Sequence, residues 1–153
     1  MYAPIAFEQK FTVIGRVFIP ASGVGPYDSI AVALRNDQVE YWATLAYGTS
    51  LIERNHISIM RNDTWGDLYP LNLAPGWYTA KIQIDQQNEG AIRLKVWADG
   101  NNEPNWQVIR ELDPGWTITG IGYRHAGDGT TWVDDIYLVG SRYYVYIPLV
   151  TRP

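Results

Sequence analysis

Apolar and polar residues along most of this chain alternate with period two, and few stretches repeat every three or four residues as a helix would. Ser29 to Arg35 ("SIAVALR") and Glu40 to Tyr47 ("EYWATLAY") read as two strands joined by the turn-forming Asn36-Asp37-Gln38. Ser50 to Arg61 predicts one long strand or two. Trp77 to Asp85 and Ala91 to Trp97 flank "QQNEG" and predict a hairpin. "WQVIREL", "WTITGIGYRH" and "WVDDIYLVG" follow, divided by Pro, Gly and Asp. Strong β-formers at short intervals, with turn signals between, predict an all-β fold. The expected architecture is an antiparallel two-sheet β-sandwich (jelly roll) of about ten strands with little or no helix.

The same alternation assigns faces. Ile92, Leu94 and Val96 share one side of their strand, and Arg93, Lys95 and Trp97 the other. Tyr78, Ala80, Ile82 and Ile84 oppose Trp77, Thr79, Lys81 and Gln83. Trp42 sits with Thr44, opposite Tyr41, Ala43 and Leu45. Three tryptophans, Trp42, Trp77 and Trp97, thus fall on the faces turned away from the simplest core.

Composition sharpens this. The chain has 153 residues, a length that suits one domain. Eleven tyrosines and seven tryptophans stand against three phenylalanines, so most aromatic surface carries a polar handle suited to binding as well as to packing. The net charge is −4, and Lys and Arg are scattered singly. With no basic stripe to follow a phosphate backbone, nucleic acid is not an expected partner. There is no cysteine, which removes disulfides, thiolate metal sites and a cysteine nucleophile. Glu8 and Lys10 interrupt any signal-length apolar run at the start. No stretch approaches the roughly 20 apolar residues of a membrane helix, so membrane insertion is not expected.

The end of the chain differs from an ordinary polar terminus. After Gly140, "SRYYVYIPLVTRP" places Tyr143, Val145, Ile147 and Leu149 on one apolar stripe, and Pro148 suits a sheet edge. The expected division is a sandwich over 1–140 and a C-terminal strand over 141–153. That strand packs either on its own sheet or on a neighbouring subunit.

One region carries a resemblance. Trp77-Tyr78, Lys95-Val96-Trp97, Glu103-Pro104, Trp106, the Gly-rich "ITGIGYR" and the paired aspartates of "WVDDIYLVG" resemble the concanavalin A-like, laminin G-like jelly-roll superfamily of extracellular bacterial proteins. The likeness spans about Phe7 to Gly140. It implies an extracellular or cell-surface setting and a role among glycan-binding modules, adhesion domains or glycoside hydrolases. Related jelly rolls hold a structural calcium between an early and a late strand. By that resemblance Glu8 with Asp134 or Asp135 would be its ligands. The alternative for the aspartates is ordinary hydrogen bonding or solvent. "ADGNNEP" begins like a calcium loop, but it lacks the Gly at the sixth position and has Arg110 where the terminal Glu belongs. A polar turn explains it better.

Catalysis is poorly supported. Glycoside hydrolysis in most families needs two carboxyl groups. Laminarinase-like enzymes place theirs in Glu-x-Asp-x-x-Glu. The nearest match is "ELDPGW", with Glu111, Asp113 and then Trp116 where the second Glu should stand. His56 and His125 are far apart, and there is no Gly-x-Ser-x-Gly elbow or P-loop. Two non-catalytic readings stand. One is a laminin G-like recognition or adhesion module that binds a glycan or cell-surface polymer, with Trp42, Trp77 and Trp97 for stacking and Asp99, Asn101 and Asn102 for polar contacts. The other is a self-assembling homo-oligomer or filament, a layer, tube or fibre subunit that uses Tyr143, Val145, Ile147 and Leu149 as subunit contacts.

Overall fold

A computed structural model describes residues 2–4, 10–21, 25, 28–48, 55–127, 132–140 and 144–147, with residues 2–4, 132, 134, 135 and 144–147 described by backbone alone. The strands are β1 (Tyr2–Pro4), β2 (Lys10–Ile19), β3 (Ser29–Arg35), β4 (Glu40–Ala46), β5 (His56–Arg61) and β6 (Tyr69–Pro70). They continue as β7 (Gly76–Asp85), β8 (Ala91–Ala98), β9 (Val108–Glu111), β10 (Gly120–Ala126), β11 (Trp132–Gly140) and β12 (Tyr144–Ile147). They form two six-stranded antiparallel sheets, sheet A in the order β1-β10-β3-β4-β5-β6 and sheet B in the order β12-β11-β2-β7-β8-β9. No helix occurs among the described residues. The expected antiparallel jelly-roll sandwich is the observed fold, and the short β1 and β6 account for the strands beyond ten.

Alternation builds the core. Leu34, Tyr41, Ile57 and Ile59 of sheet A meet Ile84, Ile92, Leu94 and Val96 of sheet B, all almost wholly buried. Each such aliphatic contributes roughly 1.5–3 kcal/mol. The hairpin expected between Asp85 and Ala91 is present in register. Asp85 caps its turn by accepting the Asn88 N–H at 2.9 Å and pairs with Lys10 at 2.9 Å. These contacts, the Asn88 N–H first and Lys10 second, hold its carboxyl below the ordinary range. Gly90 takes the left-handed conformation (φ 54°) that closes the turn.

β2, the central ladder of sheet B, is missing from the strands read above. Ile14 and Phe18 place apolar side chains on its outer face and Gly15 interrupts its inner one, which blurs the alternation. β5 begins at His56, and 49–54 lie outside the described residues. The "ELDPGW" segment helps close one end of the sandwich. Asp113 takes a two-pronged ion pair from Arg61, and its N–H donates to the Tyr41 hydroxyl at 2.8 Å. Trp116 packs edge-on against Tyr41 at 5.1 Å.

β12 pairs antiparallel with β11 of the same chain, Val145 against Leu138 and Ile147 against Ile136. The apolar tail therefore has backbone partners in its own sheet. Tyr143 and Leu149 lie outside the described residues.

Candidate functional site

The two outer faces of the sandwich differ in chemistry. On sheet B, Phe18 stands opposite Trp77, Arg16 opposite Thr79, and Thr79 opposite Trp97. The Arg16 guanidinium lies 4.8 Å from the Trp77 ring centre and pairs with Asp99. Asp99 also accepts the Thr79 hydroxyl at 3.0 Å. Phe18 packs against Trp77 at 5.2 Å. Lys81 and Lys95 are directly opposed, an arrangement that would repel, but Glu103 bridges both. Lys95, first, and Lys81 hold the Glu103 carboxyl below its ordinary range. Lys95 also covers Trp106 at 4.3 Å and donates to the Pro104 carbonyl at 3.0 Å. Asn101 and Asn102 are exposed in the turn after β8.

The expected aromatic site is therefore divided. Trp77, Trp97 and Asp99 come together on sheet B, with Asn101 and Asn102 beside them. Trp42 lies on the outer face of sheet A, on the far side of the core, and it is only 8% exposed. One site containing all six residues is not what the fold builds.

Sheet A's outer face forms a trough. Register places Arg124, Ala31, Thr44 and Ser58 in one row across β10, β3, β4 and β5. The next row is Gly122, Ala33, Trp42 and Met60. Small residues on β10 and β3 leave the face low there, while Trp42 and Met60 stand tall. β10 and β4 are roughly 10 Å apart, two strand spacings. Arg124 crosses that gap above the alanines and lays its guanidinium 3.8 Å from the Trp42 ring centre. The Trp42 indole N–H donates to Glu40 Oε2 at 3.0 Å, which fixes the ring.

The second wall comes from the turn after β5. Arg61 and Thr64 exchange backbone hydrogen bonds at 2.9 and 3.0 Å around Asn62, which adopts φ 49°. The Asn62 side chain accepts the Glu40 N–H at 3.0 Å and ties the turn to β4. Gly66 then passes so close to β5 that a Cβ would lie 2.5 Å from the Ile59 carbonyl oxygen and 2.8 Å from Arg110 Nη1. This approach sets Trp65 edge-on to His56 at 5.1 Å. The result is a groove of about 210 Å³ between Trp42, Met60 and Trp65, floored by Ala31 and Thr44, with Asp63 and Arg124 on opposite sides. Ser58, opposite Thr44, is fully buried, and its hydroxyl has no partner among the described residues.

Of this site the sequence reading found Trp42 and its shared face with Thr44. It missed Trp65, Asp63 and Arg124. Trp65 lies in the polar "NDTWGD" turn, where no periodicity marks a face, and Arg124 lies in a strand noted for its glycines.

The proposed calcium ligands are less defined. Glu8 lies outside the described residues, and Asp134 and Asp135 are described by backbone alone. The ladder to β2 shifts between Asp134 and Tyr137, a bulge. A bulge leaves one residue of the ladder unpaired. No cluster of three or more potential metal-ligating side chains occurs among the described residues.

No family model and no curated protein matches the sequence. Solved structures do. The CBM2 module of the evolved Dit of Lactobacillus casei BL23 phage J-1 is 14% identical, with a TM-score of 0.60 over 88% of this chain and 64% of that one. A tetrameric galectin from the ball sponge Cinachyrella sp. is 13% identical, with a TM-score of 0.58 over 92% and 99%. A β-1,3-glucanase from Mycobacterium marinum is 19% identical, with a TM-score of 0.50 over 90% and 64%. This chain thus spans less than two thirds of the phage and mycobacterial chains. The likeness to all three is one of fold, the antiparallel β-sandwich that this chain shares. Among the described residues no helix is long and apolar enough to cross a membrane.

Proposed function

We propose that this domain is a non-catalytic carbohydrate-recognition module of laminin G-like type, working outside the cell, and that its sugar seat is the groove on sheet A. The observation that carries the reading is the groove itself. Two tryptophans wall it, and an aspartate and an arginine on opposite sides supply an acceptor and a donor for hydroxyl groups. A concave site with aromatic walls and a few convergent polar groups is the usual form of a small-ligand seat. The phage module and the galectin lend support, because carbohydrate recognition is what their names describe.

The glucanase neighbour raises the question of hydrolysis. In the segment nearest to a glucanase motif, Arg61 holds the Asp113 carboxyl below its ordinary range. A carboxyl kept ionised is unsuited to general-acid work. Glu111 is exposed on β9, the outermost strand of sheet B.

A glycan array tests the proposal. Wild type should bind, Trp65→Ala should lose binding, and Trp77→Ala should keep it. Wild type that binds no glycan would overturn recognition. Release of reducing ends from a β-1,3-glucan would overturn the non-catalytic part.

A second reading, the self-assembling subunit, has one observation in its favour. β12 is the outermost strand of sheet B among the described residues, so its far edge carries backbone groups with no described strand beside them. Light scattering on the purified chain tests this, and a monodisperse monomer at every concentration would dismiss it.

A further inference from the structure

We infer that the sheet-A groove selects an acidic saccharide, with a sugar carboxylate held by Arg124. This rests on the reading of the groove as a sugar seat and adds the chemical class of its ligand.

The arginines of the described chain are otherwise committed wherever their contacts are resolved. Arg16 holds Asp99, Arg61 holds Asp113, Arg93 holds Glu89, and Arg110 donates to the Ile59 carbonyl at 2.6 Å. Arg124 differs. Its guanidinium lies on the Trp42 ring, 3.8 Å from the centre, and no carboxylate or carbonyl accepts its N–H groups among the described residues. Stacking uses the face of a guanidinium and leaves its N–H edge available. That edge matches the two oxygens of a carboxylate in a bidentate pair. Trp42 thus acts as a positioning residue. It is anchored through Glu40 at 3.0 Å and holds the fork flat over the row of alanines. A pre-positioned fork loses less side-chain freedom on binding than a free one.

The surrounding charges give the ligand a direction. Glu40, also on this face, already accepts the Trp42 indole N–H. Asp63 lies across the groove, in the turn after β5. It repels an acid group from its own side and accepts hydroxyls there. The expected ligand lies across β3 and β4, with its carboxylate toward β10 and its neutral hydroxyls toward Trp65 and Asp63.

The test is an affinity series on oligosaccharides of galacturonic, glucuronic, mannuronic and guluronic acid, each beside its carboxyl-reduced counterpart. Wild type should bind at least one acid form about tenfold or more tightly than the reduced form, in line with one charge-assisted pair. Added salt should narrow that gap. Arg124→Gln should bind both forms alike, and neither more tightly than wild type binds the reduced one. Arg124 is exposed, so this variant should melt with wild type. Arg124→Lys, which keeps the charge and loses the fork, should fall between. Wild type that binds acid and reduced forms equally, or an acid preference that survives Arg124→Gln, overturns this inference and leaves the glycan reading standing. Wild type that binds neither these probes nor any glycan on the array overturns both.

Discussion

The two outer faces of this sandwich carry similar residues and use them in opposite ways. On sheet B, Trp77 is covered by Arg16 and Phe18, and Asp99 is taken by Arg16 and Thr79. Glu103 neutralises two opposed lysines. The charged groups and the Trp77 ring there are satisfied within the chain. On sheet A, Arg124 and Asp63 face each other across an open groove, and Ser58 is buried without a partner among the described residues. A tryptophan on an outward face is therefore weak evidence of a binding platform. What distinguishes the two faces is the charged group beside the tryptophan: Arg16 is paired with Asp99, whereas among the described residues Arg124 has only the Trp42 ring.

Removing each face's tryptophan gives the largest contrast. Trp42→Ala should cost about 3–5 kcal/mol, because it deletes a nearly buried ring packed with Ala31, Ala33 and Met60, and it should abolish sugar binding. Trp77→Ala removes a half-buried ring and should cost about 1–2 kcal/mol with binding intact. Denaturant titration and calorimetry read both effects. A binding loss in Trp77→Ala equal to that in Trp42→Ala would reverse the assignment of the two faces.

Gly66→Ala should cost about 1–3 kcal/mol, since the new Cβ meets the Ile59 carbonyl and the turn must move. Sugar affinity should fall severalfold as Trp65 shifts. Unchanged affinity would mean that Trp65 is not a wall of the site.

Glu103→Gln should cost about 1 kcal/mol by leaving Lys81 and Lys95 opposed without their full counter-charge, and the groove should bind as before. The same carboxyl predicts a pH effect. Its folded value lies below its unfolded one. Its stabilisation is therefore present above the ordinary Glu value, about 4.3, and is lost as pH falls through the depressed folded value. Melting curves across that window should be flatter for Glu103→Gln than for wild type.

The smallest effect concerns the late aspartates. If Asp134 or Asp135 ligates calcium, as proposed from the resemblance, a chelator should lower the melting midpoint. An unchanged midpoint would leave the bulge as a purely backbone feature.

What could be read in advance followed local periodicity. β3 and β11 match their sequence segments end to end, because each is a largely apolar run bounded by turn signals. The outward placement of Trp42, Trp77 and Trp97 followed from alternation. β2 escaped because Ile14 and Phe18 face outward and blur it. The side-chain contacts of the two outer faces escaped for a different reason. The Arg16–Asp99 pair joins residues 83 apart in the chain, and Arg124 reaches Trp42 across a strand whose alanines make room. Neither relation has a trace in spacing. Both depend on which strands become neighbours and on how low the strand between them stands.

The most direct measurement follows the indole and backbone N–H signals of the isotope-labelled protein during titration with a bound oligosaccharide. The account predicts shifts at Trp42 and Trp65 and along Ala31, Thr44, Ser58 and Arg124, while Trp77, Trp97 and Asp99 stay still. Shifts confined to Trp77, Trp97, Asp99 and Asn101 would contradict it and move the site to sheet B.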